Sequence, residues 1–124
     1  MNMNGMKWVY IVYPFQEKEE NRKKIDQICR AVANMGFLPV SPVHAFSFLN
    51  DNVLEERHRA LNLRQELIKV CDQVWLFGDW RKSEGCRLEV RAAQGAGIPL
   101  IDFEVVLTNF NEFSKLKELI KCCD

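Results

Sequence analysis

Glu89 is the residue of this sequence whose position most needs a chemical explanation. It lies in segment 85–97, which is rich in small and apolar residues and lacks proline. At about 100° per residue in an α-helix, Glu89 falls near the middle of an arc of small or apolar side chains, opposite Arg87, Arg91 and Gln94. A carboxylate at the centre of such an arc is costly to bury unless it is paired, hydrogen-bonded or open to a cleft. The arc consists of Gly85, Cys86, Val90, Ala92, Ala93, Ala96 and Gly97.

Two further side chains, Asp79 and Tyr13, each end an apolar stretch and are candidates to meet Glu89. One carboxylate in a dry cleft can act as a nucleophile or ion-pair stabiliser at an electron-poor sugar carbon while the other handles a proton. The phenol can hydrogen-bond the nucleophile and hold its rotamer. Ser83 and the amides that open the helix form a candidate anion site.

The elements that must position these residues alternate between strand and helix. The pattern predicts strands at 7–13, 37–41, 74–77 and 98–103, and it predicts helices at 20–35, 52–70, 85–97 and 110–122, with a loop at 42–50. Asp51 or Asn52 is the expected cap of the second helix, whose apolar positions are predicted to be Val53, Leu54, Leu61, Leu63, Leu67 and Ile68.

This alternation predicts one α/β domain over residues 1–124, a doubly wound, flavodoxin-like parallel sheet with helices on both faces. The expected strand order is 2-1-3-4, and a further edge strand is allowed. In such sheets the ligand crevice opens at the carboxyl ends of the strands where the winding reverses, here strands one and three. The end of strand one, Gly78-Asp79 and the start of the Glu89 helix should therefore surround one cleft.

Composition and charge exclude several classes of function. The 124 residues contain 17 Lys plus Arg and 17 Asp plus Glu, so the charge does not favour nucleic acid polymers or anionic membranes. The apolar runs are too short for a membrane span or a signal peptide. Five cysteines without CxxC spacing and two histidines suit reduced thiols in the cytoplasm and indicate neither a metal site nor a cofactor.

Each candidate also has a structural interpretation that stays open from the residues alone. Asp79 suits a turn after a strand, Tyr13 suits a core position, and Ser83 suits a helix N-cap. Glu89 could be a buried glutamate paired with an arginine such as Arg57 or Arg59.

The sequence resembles the nucleoside 2-deoxyribosyltransferase superfamily, and within it a small bacterial and phage branch. The resemblance covers strand one to strand four. It rests on Tyr13-Pro14-Phe15, on the stretch Cys71 to Asp79, on Gly85-x-x-x-Glu89-x-x-x-Ala93, and on Gly97-Ile98-Pro99-Leu100.

The resemblance implies a role for each matching residue. Glu89 would attack the anomeric carbon of a nucleoside or nucleotide, Asp79 would assist at the base, and Tyr13 would orient the glutamate. It also implies a homo-oligomer whose neighbouring subunits complete each site. The expected substrate-binding residues are Pro14, Phe15, Gly78, Ser83 and Gly85.

Two functions are therefore expected, ahead of a purely structural or protein-interaction role, which would leave Glu89 and Gly78-Asp79 unexplained. The first is an N-glycosidic-bond enzyme, either a deoxyribosyltransferase or a hydrolase, that acts on a small-molecule nucleoside or nucleotide. The alternative is a catalytically degenerate module that binds a nucleotide or a nucleotide-derived signal. Its support is that Tyr13 to Glu17 replace the Gly/Ser-rich phosphate loop of the nucleotide-hydrolysing members, and that Arg87 occupies a position where the enzymes favour a small or aromatic residue.

Overall fold

A computed structural model describes residues 5–15 and 18–103. Within these ranges, strands and helices alternate along the chain, and a 3-10 turn at Trp80–Lys82 precedes the last helix. The elements are β1 (Trp8–Val12), α1 (Glu19–Asn34), β2 (Leu38–Val40), α2 (Pro42–Ala45), α3 (Leu54–Lys69), β3 (Gln73–Leu76), α4 (Glu84–Ala96) and β4 (Leu100–Asp102).

The strands form one parallel sheet in the order β2-β1-β3-β4, which confirms the predicted α/β fold and strand order. The register pairs Tyr10 of β1 with Val40 of β2 and with Val74 of β3. The winding direction reverses between β1 and β3, so the crevice expected of this topology opens where these two strands end.

Each face of the sheet has its own apolar core, because successive side chains of a strand point to opposite faces. Val9 and Ile11 of β1 and Trp75 of β3 pack with Ile28 and Val32 of α1. On the other face, β1 and β3 pack against α3 and α4. This second core contains Tyr10, Val12, Ile68, Cys71, Val74, Leu76, Cys86, Val90 and Ala93. A tyrosine in the centre of this second core needs a partner for its hydroxyl.

The segment predicted as a loop at 42–50 contains the short helix α2. Ser41 caps it, since the Ser41 side chain accepts a hydrogen bond from the His44 amide, and proline occupies the first helical position. The ring of His44 contacts Ser41 Oγ through Nδ1 at 2.7 Å and Asp26 Oδ1 through Nε2 at 2.6 Å. These contacts tie α2 to α1 beside the crevice.

The expected start of the second long helix is wrong by about one half-turn. Helix α3 begins at Leu54, and its N-cap, Val53, makes no side-chain capping hydrogen bond. Val53 and Leu54, predicted as apolar helix positions in the core, are 42% and 65% exposed. The predicted helix at 110–122 lies outside the described residues, as do Cys122 and Cys123. In the described part of the chain, no helix has the length and apolar character needed to cross a membrane.

Candidate functional site

Glu89 lies where the helical repeat of its segment predicts, on the face of α4 that packs against the sheet. Its side chain is buried, with 4% exposure, while Arg87 and Arg91 on the other face of α4 are exposed. The helix begins at a capped residue, because Ser83 Oγ accepts a hydrogen bond of 3.3 Å from the Cys86 amide. It ends at Gly97, whose φ of 72° is the left-handed conformation that favours glycine. The two caps define where α4 begins and ends.

Tyr10 holds the Glu89 carboxylate. Its hydroxyl donates a short hydrogen bond to Glu89 Oε2, and both side chains are buried. The two residues are 79 positions apart in the sequence. Tyr10 reaches α4 because the pleat of β1 points it to the α3 and α4 side of the sheet. A buried carboxylate thus has one fixed donor on one of its oxygens.

Burial dominates the acid–base behaviour of this pair. Desolvation raises the pKa of Glu89 from 4.5 to about 7, while the positive charge of Arg64 and the Tyr10 hydrogen bond oppose the rise. Burial, followed by the charge of Glu89, raises the pKa of Tyr10 well above its ordinary value. Tyr10 therefore stays a neutral donor, and Glu89 changes its charge near neutral pH.

The cation that acts on Glu89 is Arg64 of α3, whereas Arg57 or Arg59 was the predicted structural partner. The positive charge of Arg64 lowers the pKa values of Glu89, Tyr10 and Cys86. Arg64 lines the same cavity as Glu89 and Cys86. It nevertheless forms no salt bridge with Glu89. The interpretation of Glu89 as one half of a closed ion pair with Arg57 or Arg59 does not describe this site.

A cavity of about 420 Å³ lies at the reversal of the sheet, and Glu89 lines it. Its walls come from the end of β1, from the segment that includes α2, from one face of α3 and from the start of α4. Five of the predicted site residues line it: Tyr13, Phe15, Ser83, Gly85 and Glu89. A buried carboxylate that opens on a cavity of this size can reach a small molecule.

The other predicted site residues do not line this cavity. Gly78 and Pro14 lie behind Tyr13: a Cβ added at Gly78 would be 3.1 Å from Tyr13 Cε2 and 3.4 Å from Pro14 Cδ. Asp79 is exposed, and its Oδ2 is 3.1 Å from Lys82 Nζ. Among the described residues, the carboxylates that line the cavity besides Glu89 are Glu84 of α4 and Asp51, which precedes α3.

Tyr13 and Tyr10 have different positions although both belong to the first strand region. Tyr13 lines the cavity, and burial together with the charge of Glu20 raises the pKa of its phenol. The hydrogen bond to Glu89, which the resemblance assigned to Tyr13, comes from Tyr10. The strand alternation contained a signal for Tyr10, since it shares its face of β1 with Val12, which packs under α4.

The thiols are poor candidates for chemistry in this site. Burial, followed by the charge of Glu89, raises the pKa of Cys86 to about 12. Cys29 and Cys71 also have raised pKa values of about 11, mainly through burial. A thiol with such a pKa is protonated at neutral pH and is a weak nucleophile. Among residues 5–15 and 18–103, no group of three His, Cys, Asp or Glu side chains could hold a metal ion.

The comparisons with known proteins agree with the fold. A protein family described as "Domain of unknown function (DUF7768)" matches residues 7–103. No curated protein matches the sequence.

Solved structures with the same fold include two 2-deoxyribosyltransferases and a CMP N-glycosidase. The 2-deoxyribosyltransferase of Bacillus psychrosaccharolyticus has a TM-score of 0.63 and 22% identity, over 81% of this chain and 77% of that one. The CMP N-glycosidase BcmB of Clostridium botulinum has a TM-score of 0.59 and 17% identity, over 90% and 99%. The Leishmania mexicana 2-deoxyribosyltransferase has a TM-score of 0.55 and 17% identity, over 86% and 69%. At these identities the likeness shows a shared fold.

Proposed function

We propose that this chain, which belongs to the family described as "Domain of unknown function (DUF7768)", breaks the N-glycosidic bond of a nucleoside or nucleotide with Glu89 as the nucleophile. The observation that carries the proposal is the Glu89 carboxylate itself, which is buried, bound by Tyr10 and open to a cavity of about 420 Å³. Two of the structures that share this fold are named as 2-deoxyribosyltransferases and one as a CMP N-glycosidase, and they support the choice of reaction class.

The proposed first step is substitution at the anomeric carbon. A Glu89 oxygen forms a bond to this carbon, the bond from the carbon to the base nitrogen breaks, and its electron pair leaves with the base. In the second step, water or another base attacks the same carbon and Glu89 departs as a carboxylate. Glu89 must be ionised to attack, so the charge of Arg64 and the Tyr10 hydrogen bond, which both lower the pKa of Glu89, favour the reactive form.

The leaving base needs a proton, and the geometry favours a residue different from the predicted one. Asp79 was predicted as the base-side acid, but its side chain is exposed and pairs with Lys82. Asp51 lines the cavity that Glu89 lines. We therefore include Asp51 as the carboxylate placed to bind or protonate the base, and Tyr13 and Phe15 as the aromatic wall beside it.

A binding module without turnover is the second candidate. The observation that favours it is the position of Arg64 beside a carboxylate with a pKa of about 7, because protonated Glu89 could bind a ligand without attacking it. One of its predicted supports is weaker, since Arg87 is exposed and donates from Nη1 to the Arg81 carbonyl at 2.8 Å. Arg87 is also absent from the described lining of the cavity.

The experiment is incubation of the purified protein with ribonucleosides, deoxyribonucleosides and their 5′-monophosphates, followed by chromatography for released or exchanged base. We expect release by the wild-type protein, its loss in Glu89→Gln, and its retention in Glu66→Gln, an exposed glutamate of α3 that is 72% exposed. Release that persists in Glu89→Gln would contradict the assignment of the nucleophile. Binding of the same compounds without any product would favour the second candidate.

We also propose that the protein works as a homo-oligomer in the cytoplasm. Phe48 and Leu54 are 72% and 65% exposed and lie in sequence on either side of Asp51, which lines the cavity. A second copy of the chain would cover these apolar side chains. Light scattering at several protein concentrations tests the homo-oligomer. Phe48→Ser is expected to lower the measured molar mass, and a monomeric wild-type protein would contradict the proposal.

The cytoplasmic location is supported by Cys29, Cys71 and Cys86, which are free thiols, as is usual in a reducing compartment.

A further inference from the structure

Arg64 has the geometry of a ligand-binding residue rather than of a structural ion pair. We propose that its guanidinium binds the phosphate of the substrate, so that the substrate class is a nucleoside 5′-monophosphate and not a free nucleoside. This inference rests on the proposed function for the nucleoside part of the ligand. The anion site itself rests on the residues around Arg64.

The first argument is an unsatisfied donor. A guanidinium carries five N–H groups and no acceptor. Within the described residues, the Nε atom of Arg64 is buried and has no hydrogen-bond partner. In folded proteins most buried polar atoms do have one. Arg64 also forms no salt bridge with a carboxylate of the described residues, although Glu89 is close enough to feel its charge. Nε itself is out of reach of solvent, but the terminal nitrogens of Arg64 also make no hydrogen bond within the described residues, and Arg64 lines the cavity. These terminal nitrogens are the donors suited to an anion that arrives from solvent.

The second argument is the space in front of this guanidinium. Arg64 lines the cavity of about 420 Å³ and also a neighbouring cavity of about 200 Å³, so it stands where the two adjoin. Arg57, seven residues earlier and therefore on the same side of α3, lines the larger cavity as well. Asp51 and Glu84 also line this cavity, so its wall carries negative as well as positive side chains. An anion would have to bind close to the two arginines to gain from them.

The third argument is the backbone opposite Arg64. A Cβ added at Gly85 would lie 4.0 Å from Arg64 Nη1, which is ordinary van der Waals contact, so this guanidinium lies beside the first turn of α4. Ser83 Oγ accepts a hydrogen bond from the Cys86 amide. The amides of Glu84 and Gly85, in the first turn of α4, have no acceptor within the helix. Glu84, Gly85 and Arg64 all line the same cavity. Phosphate oxygens accept hydrogen bonds from both kinds of donor.

The position fits the proposed reaction, because one sugar ring joins the 5′ phosphate to the anomeric carbon. An anion site must therefore lie about one sugar away from the nucleophile. Arg64 acts on Glu89 electrostatically without touching it, which is the relation that a phosphate site and an anomeric-carbon site should have. The phosphate would be held by α3 and the start of α4, not by a loop after β1.

The competing interpretation is that Arg64 serves Glu89 alone. In that case the loss of Arg64 would affect nucleosides and nucleotides equally, whereas a phosphate site affects nucleotides selectively. Binding is best measured in Glu89→Gln, where the substitution prevents covalent attack. Isothermal titration with matched pairs of nucleoside and 5′-monophosphate, and with inorganic phosphate, gives the selectivity. Each titration is repeated after one further substitution is added to Glu89→Gln. The further substitutions are Arg64→Gln, Arg64→Lys and, as the control, Arg59→Gln, which replaces an exposed arginine of the same helix.

We expect the monophosphate to bind at least about tenfold more tightly than its nucleoside, a difference of about 1.4 kcal/mol. Arg64→Gln should abolish this preference, Arg64→Lys should keep part of it, and Arg59→Gln should keep all of it. Equal affinity for the two compounds, or equal weakening of both by Arg64→Gln, would overturn the inference. Circular dichroism checks that each variant folds. Arg64→Lys keeps the inference testable if the Arg64→Gln variant does not fold.

The titration, together with the base-release assay, separates the failure of this inference from the failure of the proposed function. Arg64-dependent binding of the monophosphates without any base release would support the anion site and contradict the enzyme. Release from nucleosides and monophosphates at equal rates, lost in Glu89→Gln and equally reduced by Arg64→Gln, would support the enzyme and overturn the anion site.

Discussion

Replacement of Glu89 by glutamine should stabilise the protein above neutral pH. The folded state raises the pKa of Glu89 from 4.5 to about 7. Between these two values the folded state binds more protons than the unfolded state, so the free energy of unfolding falls as the pH rises. The fall is complete above about pH 7, where both states are ionised at this position. A glutamine at this position carries no charge at any of these pH values, and its side-chain oxygen can still accept the Tyr10 hydrogen bond.

The size of the expected stabilisation follows from the difference between the folded-state and unfolded-state pKa values of Glu89. The difference between about 7 and 4.5 is roughly 2.5 pKa units at 1.36 kcal/mol each, which makes about 3 kcal/mol at pH 8. For a domain of 124 residues this corresponds to a rise in Tm of roughly 10 °C. Near pH 4.5 Glu89 is protonated and uncharged in the folded state. At this pH the Glu89→Gln variant and the wild-type protein should therefore have nearly the same free energy of unfolding.

Urea denaturation at several pH values between 4.5 and 8.5, followed by circular dichroism, measures the difference between Glu89→Gln and the wild-type protein. Glu66→Gln is the control, because that carboxylate is exposed and the substitution should produce no comparable pH-dependent gain. The reasoning would be refuted by a Glu89→Gln difference that stays constant with pH, or by a wild-type protein that is the more stable one at pH 8. Either result would mean that burial does not penalise the charge of Glu89.

Four further outcomes can be measured. The kcat/KM of base release should rise with pH up to about 7, because Glu89 reacts as the carboxylate; a profile that is flat from pH 5 to 8 would contradict this role. Tyr10→Phe removes a hydrogen bond that lowers the pKa of Glu89, so it should shift this midpoint upwards and reduce kcat by about ten- to a hundredfold; unchanged kinetics would show that Tyr10 has no positioning role. Gly78→Ala should lower the free energy of unfolding by roughly 1–2 kcal/mol in urea, because φ is 63° and the new Cβ would be 3.1 Å from the Tyr13 ring; a neutral effect would mean that the loop adjusts freely. Ser83→Ala removes the cap of α4 and should cost about 1 kcal/mol in the same assay, so wild-type stability would argue against the cap.

Several features of the site could be predicted from the sequence because they depend on neighbouring residues. The alternation of strands and helices predicted the strand order, which is confirmed. The winding rule predicted a cleft at the ends of strands one and three, and the cavity borders the end of β1 but not Gly78-Asp79. The helical repeat of segment 85–97 placed Glu89 on the buried face of α4. The N-cap was the structural alternative to a substrate-binding role for Ser83, and Ser83 does cap α4.

Other predictions failed where contacts between distant segments decide the outcome. Val53 and Leu54 satisfy the apolar pattern of α3, yet they lie beyond the part of this helix that packs on the sheet and are exposed. Helix α2 formed inside a predicted loop, since Ser41 and Pro42 supply a cap and a first helical residue and His44 reaches Asp26 on α1. Pattern alone does not show which of these local preferences will be stabilised by packing.

The sequence by itself determined which face of α4 carries Glu89, because the angle between residues of a helix is a local property of the backbone. Only the tertiary structure decided which side chains meet it. Tyr10 is 79 residues away on β1, and Arg64 belongs to a mixed-charge segment whose pattern resembles a solvated surface. Their approach depends on how α3 and α4 pack across the sheet, and that arrangement gives Glu89 its donor, its nearby positive charge and its raised pKa.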